Sequence, residues 1–185
     1  MTKKQIDAMK RIIRAEGATN INRGITRPCG EHLTEDHYCV TDGVTLVVYP
    51  ESIPELPKAE PTPTFHEYLL QEETNGNHAI ADDVPSPDQL RKFIRDFKSA
   101  HRHTLDCSNS ALSIFERKPL VQIRSDENGE SGWYDARLLL NVMEAVGTGC
   151  RVFIGRRKDY RNTSVLVYQK DEFFGITGMV LPVRA

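Results

Sequence analysis

Apolar positions recur at three- and four-residue spacing in three stretches of the 185-residue chain, and each stretch carries its own start and stop signals. In the first, Ile6, Met9, Ile12 and Ile13 form one stripe. Thr2 and Gln5 make a capping box ahead of it and Gly17 follows, which predicts a helix over 3–16. In the second, Leu90, Phe93, Ile94 and Phe97 share a face behind Ser86-Pro87-Asp88-Gln89, an N-cap with proline at the first helical position. In the third, Leu138, Leu139, Val142, Met143 and Val146 define a buried face over 134–146, with Asp135 placed to cap the first turn and Gly147 to end the last.

Between the helices the pattern turns strand-like. His37–Val40 and Val44–Tyr49 flank Thr41-Asp42-Gly43, and Asp-Gly between apolar runs predicts a hairpin. Residues 18–36 read as loop with room for one short strand. Ala111–Glu116 and Pro119–Arg124 are expected to pair through Arg117-Lys118, and Asp126–Gly132 is a polar loop. After the third helix come Cys150–Gly155, Thr163–Gln169 and Phe173–Val183, the first two separated by the polar run Arg156–Asn162. From Pro50 to Pro87 seven prolines punctuate an acidic stretch, which reads as an insertion or flexible linker and not as core. The expected class is α+β, helices packed on antiparallel sheets.

Charge changes this picture more than composition does. The net charge is only −2, but residues 51–85 hold eight carboxylates against one lysine, while cations gather at 3–14, 91–102 and 151–161. Such segregation permits a basic face on a mildly acidic protein. No apolar run reaches membrane-spanning length and no secretory signal opens the sequence, so a cytoplasmic protein without membrane contact is expected. Cys29, Cys39, Cys107 and Cys150 are too sparse for a disulfide scaffold and should be reduced there.

Cys29, His32, His37 and Cys39 cluster, but at a spacing that matches no standard zinc finger, so no metal and no cofactor is expected. His66-Glu67 fails as a zincin because Leu70 stands where the second histidine belongs. There is no nucleophile elbow, P-loop or dinucleotide fingerprint, and Gly175-Ile176-Thr177-Gly178 reads as strand curvature. His101-Arg102-His103 suits a helix C-terminus, and the sequon at Asn162-Thr163-Ser164 has no meaning in a cytoplasmic protein. The expectation is a non-enzyme.

The capped Leu/Val-rich helix over 134–146, the three strands after it and the terminal Met179-Val180-Leu181-Pro182-Val183-Arg184 together resemble the C-terminal end of bacterial sliding clamps, the DNA polymerase III beta subunit family. Val40-Thr41-Asp42-Gly43-Val44-Thr45-Leu46-Val47-Val48 is similar to the Thr-Asp turn and following strand of a clamp first repeat. The resemblance implies a DNA clamp-like fold of two pseudo-repeats, 1–50 and 130–185, with an acidic Pro-rich insert at 51–85 and a helix-hairpin insert at 86–128. The alternative makes the 86–125 unit a third repeat. It also implies a replication accessory protein of bacterial or phage type that binds double-stranded DNA independently of sequence. The cations on the helices, Lys3, Lys4, Lys10, Arg11, Arg14, Arg91, Arg95 and Lys98, would contact phosphates. Leu181, Pro182, Val183 and Arg184 would receive the linear clamp-binding motifs of replication proteins.

A clamp subunit strings together three such domains and this chain has the length of one. A monomer or weak dimer is therefore expected, with Val165–Tyr168 and Val44–Tyr49 as candidate sheet edges and Arg156, Arg157, Lys158 and Arg161 guarding the first. In a second reading the clamp fold serves as a protein–protein adaptor or inhibitor that has lost DNA and works through its acidic 51–85 segment.

Overall fold

Each helix begins where the chain supplies its own hydrogen-bond acceptors. In the computed structural model, which describes residues 1–14, 29–34, 37–50, 53–56, 78–105, 118–157, 163–169 and 176–183, both predicted capping boxes form. Helix α1 (Lys3–Arg14) opens with the Gln5 amide donating to Thr2 Oγ1 at 3.3 Å and the Thr2 amide to Gln5 Oε1 at 2.8 Å. Helix α2 (Pro87–Leu105) repeats this, the Gln89 amide donating to Ser86 Oγ at 3.3 Å and the Ser86 amide to Gln89 Oε1 at 2.7 Å. Helix α3 (Ala136–Val146) starts at Asp135, whose carboxylate accepts from the Arg137 amide at 2.9 Å, and ends at Gly147 with φ 97°. It starts two residues later than the periodicity predicts, because Tyr134 and Asp135 belong to a strand.

Nine strands accompany the helices among the described residues: β1 (Cys29–Thr34), β2 (His37–Thr41), β3 (Thr45–Tyr49), β4 (His78–Ile80), β5 (Leu120–Arg124), β6 (Ser131–Asp135), β7 (Arg151–Arg157), β8 (Thr163–Gln169) and β9 (Thr177–Val180). Seven form one antiparallel sheet in the order β1-β2-β3-β9-β8-β7-β4, and β5 and β6 form a hairpin of their own. The protein is α+β. Its sheet is joined across the chain by β3 and β9, where Thr45 faces Val180 and Leu46 faces Met179. The β2–β3 turn is held by Asp42, whose Oδ1 accepts from the Val44 and Thr45 amides and the Thr45 hydroxyl.

Strand β5 pairs with β6 through the turn at 126–129, and its expected partner 111–116 lies outside the described residues. Three expectations are corrected. Val44–Tyr49 and Val165–Tyr168 are interior, since β3 lies between β2 and β9 and β8 between β7 and β9. The acidic stretch contributes to the fold. Ile53 and Leu56, three apart in a tight turn, are buried in the core, and 78–80 adds a strand beside β7. On α2, Phe93 is 39% exposed while Leu90 is buried, so the buried face is narrower than its apolar spacing suggests.

The core lies between the helices and one face of the sheet. Ala8, Met9 and Ile12 of α1 and Leu139, Val142 and Val146 of α3 meet Val40, Val47, Ile154, Leu166 and Val180 from the strands. Gly178 has a packing role there. A Cβ on Gly178 would stand 2.4 Å from Val142 Cγ1 and 2.8 Å from Val146 Cγ2, so its lack of a side chain lets α3 lie close on β9.

Candidate nucleic-acid interface

The three helices lie side by side in one layer with α3 in the middle, in contact with α1 on one flank and α2 on the other. Residue pairs set their directions. Gln5, near the start of α1, donates its side-chain amide to Val146 O at the end of α3 at 3.1 Å, and Arg11 Nε donates to Asn141 Oδ1 at 2.9 Å. Arg91, near the start of α2, reaches Glu144, near the end of α3. Both outer helices therefore run antiparallel to α3.

Glu144 is the junction of the layer. Its side chain is only 9% exposed and its carboxylate receives Arg11 from α1 and Arg91 from α2, with Lys4 Nζ at 3.8 Å. A carboxylate this far from water needs partners, and three cations on two other helices supply them. The Arg91 guanidinium is held still more firmly in its charged form than usual, first by its hydrogen bond to Glu144 and further by Asp88. The periodicity of α3 could have pointed here. Arg137, Asn141 and Glu144 recur at four and three residues opposite the buried face, but an acidic residue among basic neighbours does not look like part of a DNA-binding surface.

Of the eight predicted DNA-contact residues, Lys4, Arg11 and Arg91 converge on Glu144 and are already paired. Arg91, Arg95 and Lys98 line an open cleft of about 380 Å³ between α2 and α3, with Ile94, Ser99 and Leu140 completing its walls. Lys3 is exposed and Lys10 half-buried on α1, and neither has an ion-pair partner among the described residues. The Arg14 side chain lies outside them, as do those of His101, Arg102 and His103.

The terminal segment is tied down at two points. The Leu181 amide donates to Val44 O at 2.9 Å and the Val183 amide to Trp133 O at 2.7 Å. Leu181, Pro182 and Val183 are half-buried and Trp133 is 42% exposed, while Arg184 lies outside the described residues.

In the β1–β2 hairpin, Cys29 is opposite Thr41, Cys39 opposite Glu31, and His32 opposite Tyr38 in the backbone register. The side chains of Cys29, His32, His37 and Cys39 lie outside the described residues, among which no group of three metal-ligating side chains occurs. No described helix is long and apolar enough to cross a membrane. Comparison with family models, curated proteins and solved structures found no match for the chain.

Proposed function

We propose that the chain is a clamp-like, DNA-associated protein that touches duplex DNA irrespective of sequence through the cations of its helix layer. The observation that carries this is the concentration of charge. Helix α1 holds five cations against one carboxylate, and α2 five against two, on a chain whose net charge is −2. Sequence-independent contact needs cations near phosphates and nothing aimed at base edges. Lys3, Lys10, Arg95 and Lys98 have no ion-pair partner among the described residues and are available for such contact.

The element order supports the clamp likeness. A helix followed by three strands occurs twice, as α1-β1-β2-β3 within 1–50 and α3-β7-β8-β9 within 130–185. The two units meet at β3 and β9, and α1 lies antiparallel beside α3, as a pseudo-twofold axis between the units requires. Helix α2, strand β4 and β5 then form an insert between the repeats. On the same proposal, Leu181, Pro182 and Val183, the last bonded to the backbone of the exposed Trp133, offer together with Arg184, which follows them in the sequence, a surface for the linear motifs of replication proteins.

Fluorescence anisotropy with two unrelated duplexes, repeated across a salt series, tests the proposal. The expected result is equal affinity for both and a log–log salt slope of about 0.9 per phosphate neutralised. Reversing Lys10, Arg95 and Lys98 to glutamate should weaken both duplexes alike and flatten the slope. These three are chosen because none of them has an ion-pair partner among the described residues, so the layer keeps its ion pairs. Absence of binding at low salt would overturn the DNA proposal and favour a protein–protein adaptor working through the acidic 51–85 segment.

A further inference from the structure

We propose that the cleft between α2 and α3 is a binding site for a phosphoryl group, held by Arg95 and Lys98 and completed by Arg91. The cleft measures about 380 Å³, and these three cations follow one another along α2 at four- and three-residue spacing. That spacing puts them on one side of the helix, within a rise of about 10 Å from first to last. Their states differ. Arg91 is occupied by Glu144 and Asp88, whereas Arg95 and Lys98 have no ion-pair partner among the described residues. The neighbouring Asp96 is engaged first by Lys92 at 2.6 Å, and Arg95 adds only a weaker electrostatic attraction to it. Two cations without an ion-pair partner, one turn apart, thus face a cleft whose other walls include Ile94 and Leu140.

That combination favours a phosphoryl oxygen over bulk anions. Arg95 can present a planar fork to two oxygens, and Lys98 a point charge to the third. Ile94 and Leu140 supply the apolar part of the cleft wall, while Arg95 and Lys98 stay accessible to a ligand arriving from water. Ser99 donates its hydroxyl proton to Arg95 O at 3.2 Å, so it adds no donor and does not block the site. Glu144 competes with the ligand for Arg91, so the site in the free protein works with two cations, and gains a third when a phosphoryl group draws Arg91 away.

The site overlaps the α2 half of the DNA-contact surface proposed above but does not depend on it. The test is calorimetric titration of pyrophosphate into the full chain at low ionic strength. Saturable one-to-one binding is expected, weakened about tenfold by Arg95→Ala and by Lys98→Ala, the loss of one charge-assisted contact each. Both side chains are exposed, so both variants should melt with the wild type. Lys118→Ala removes one exposed charge outside the cleft and outside the helix layer, and should leave pyrophosphate binding unchanged. Glu144→Gln should tighten it severalfold by releasing Arg91. No saturable binding, or equal weakening by Lys118→Ala, would overturn the proposal. Adding duplex DNA then separates the sources of the phosphoryl group. Displacement of pyrophosphate assigns the cleft to the DNA backbone; retention alongside bound DNA, or binding where DNA does not bind at all, assigns it to a free phosphate ester. Both results support a phosphoryl site, and the second leaves the DNA proposal to fail or stand by itself.

Discussion

Gly178 sits where α3 crosses β9, and the backbone there is almost touched by Val142 and Val146. Gly178→Ala places a methyl group inside both valines, and relief requires α3 to lift from the sheet. A loss of about 1–3 kcal/mol is expected, as for other overpacked cores, and a urea unfolding midpoint measures it. Tyr134 gives a second prediction. Its ring is fully buried, and burial, helped by the charge of Glu130, pushes its phenol well above the ordinary tyrosine range. Below about pH 10 the phenol is neutral whether the chain is folded or not, and pH has no leverage through it. Above that the unfolded chain gives up the proton while the folded protein keeps it, so stability falls as pH rises, at up to about 1.4 kcal/mol per unit. Tyr134→Phe should remove this increment, seen as a smaller drop in unfolding midpoint between about pH 9 and 11. An identical alkaline drop in both proteins would show that Tyr134 is not the group responsible.

At the scale of elements, what was legible in the sequence was what neighbouring residues decide among themselves. Capping boxes, the stripes of α1 and α3, and the Asp-Gly turn all rest on contacts spanning a few residues, and all three helices form. Partner choice was not legible. Strand β5 pairs across the 126–129 turn because Ser125 and Glu130 close it, the Ser125 amide donating to Glu130 O at 2.9 Å. Strand β4 is three residues long in proline-rich, acidic surroundings, and only its pairing with β7 makes it a strand. The candidate site divides in the same way. The cations of α1 and α2 stood out by charge, but their meeting point at Glu144 depends on three helices packing together. Leu139 tests the packing. It is fully buried in the face of α3 that its spacing predicts, so Leu139→Ala should cost about 2–5 kcal/mol. A cost below roughly 0.5 kcal/mol, typical of surface positions, would mean that α3 does not bury this face.

For the whole molecule, the arrangement of the sheet decides what can assemble. Encirclement of DNA by copies of a unit of this size demands a head-to-tail contact that repeats and closes, and adding an edge strand to a neighbour's sheet is a direct way to make one. Strands β3 and β8 are interior and unavailable, so the ends of the seven-stranded sheet are β1 and β4. Neither end invites addition. Strand β4 is short, and immediately beyond it the Asp82 amide donates to Arg124 O at 2.8 Å, turning the chain onto the β5–β6 hairpin. Strand β1 pairs only with β2 among the described strands, and its register shifts between His32 and Thr34, an irregularity that twists an edge away from flat pairing. The chain should therefore be a monomer, or at most a weak dimer, at micromolar concentration. Light scattering behind a sizing column should return a mass near 21.0 kDa. Dilution should leave a monomer's mass unchanged and bring a weak dimer down to that value. A sharp peak at a fixed multiple of that mass would mean that one of these edges, or the helix layer itself, is an interface, and any DNA contact would then have to be measured on the assembly.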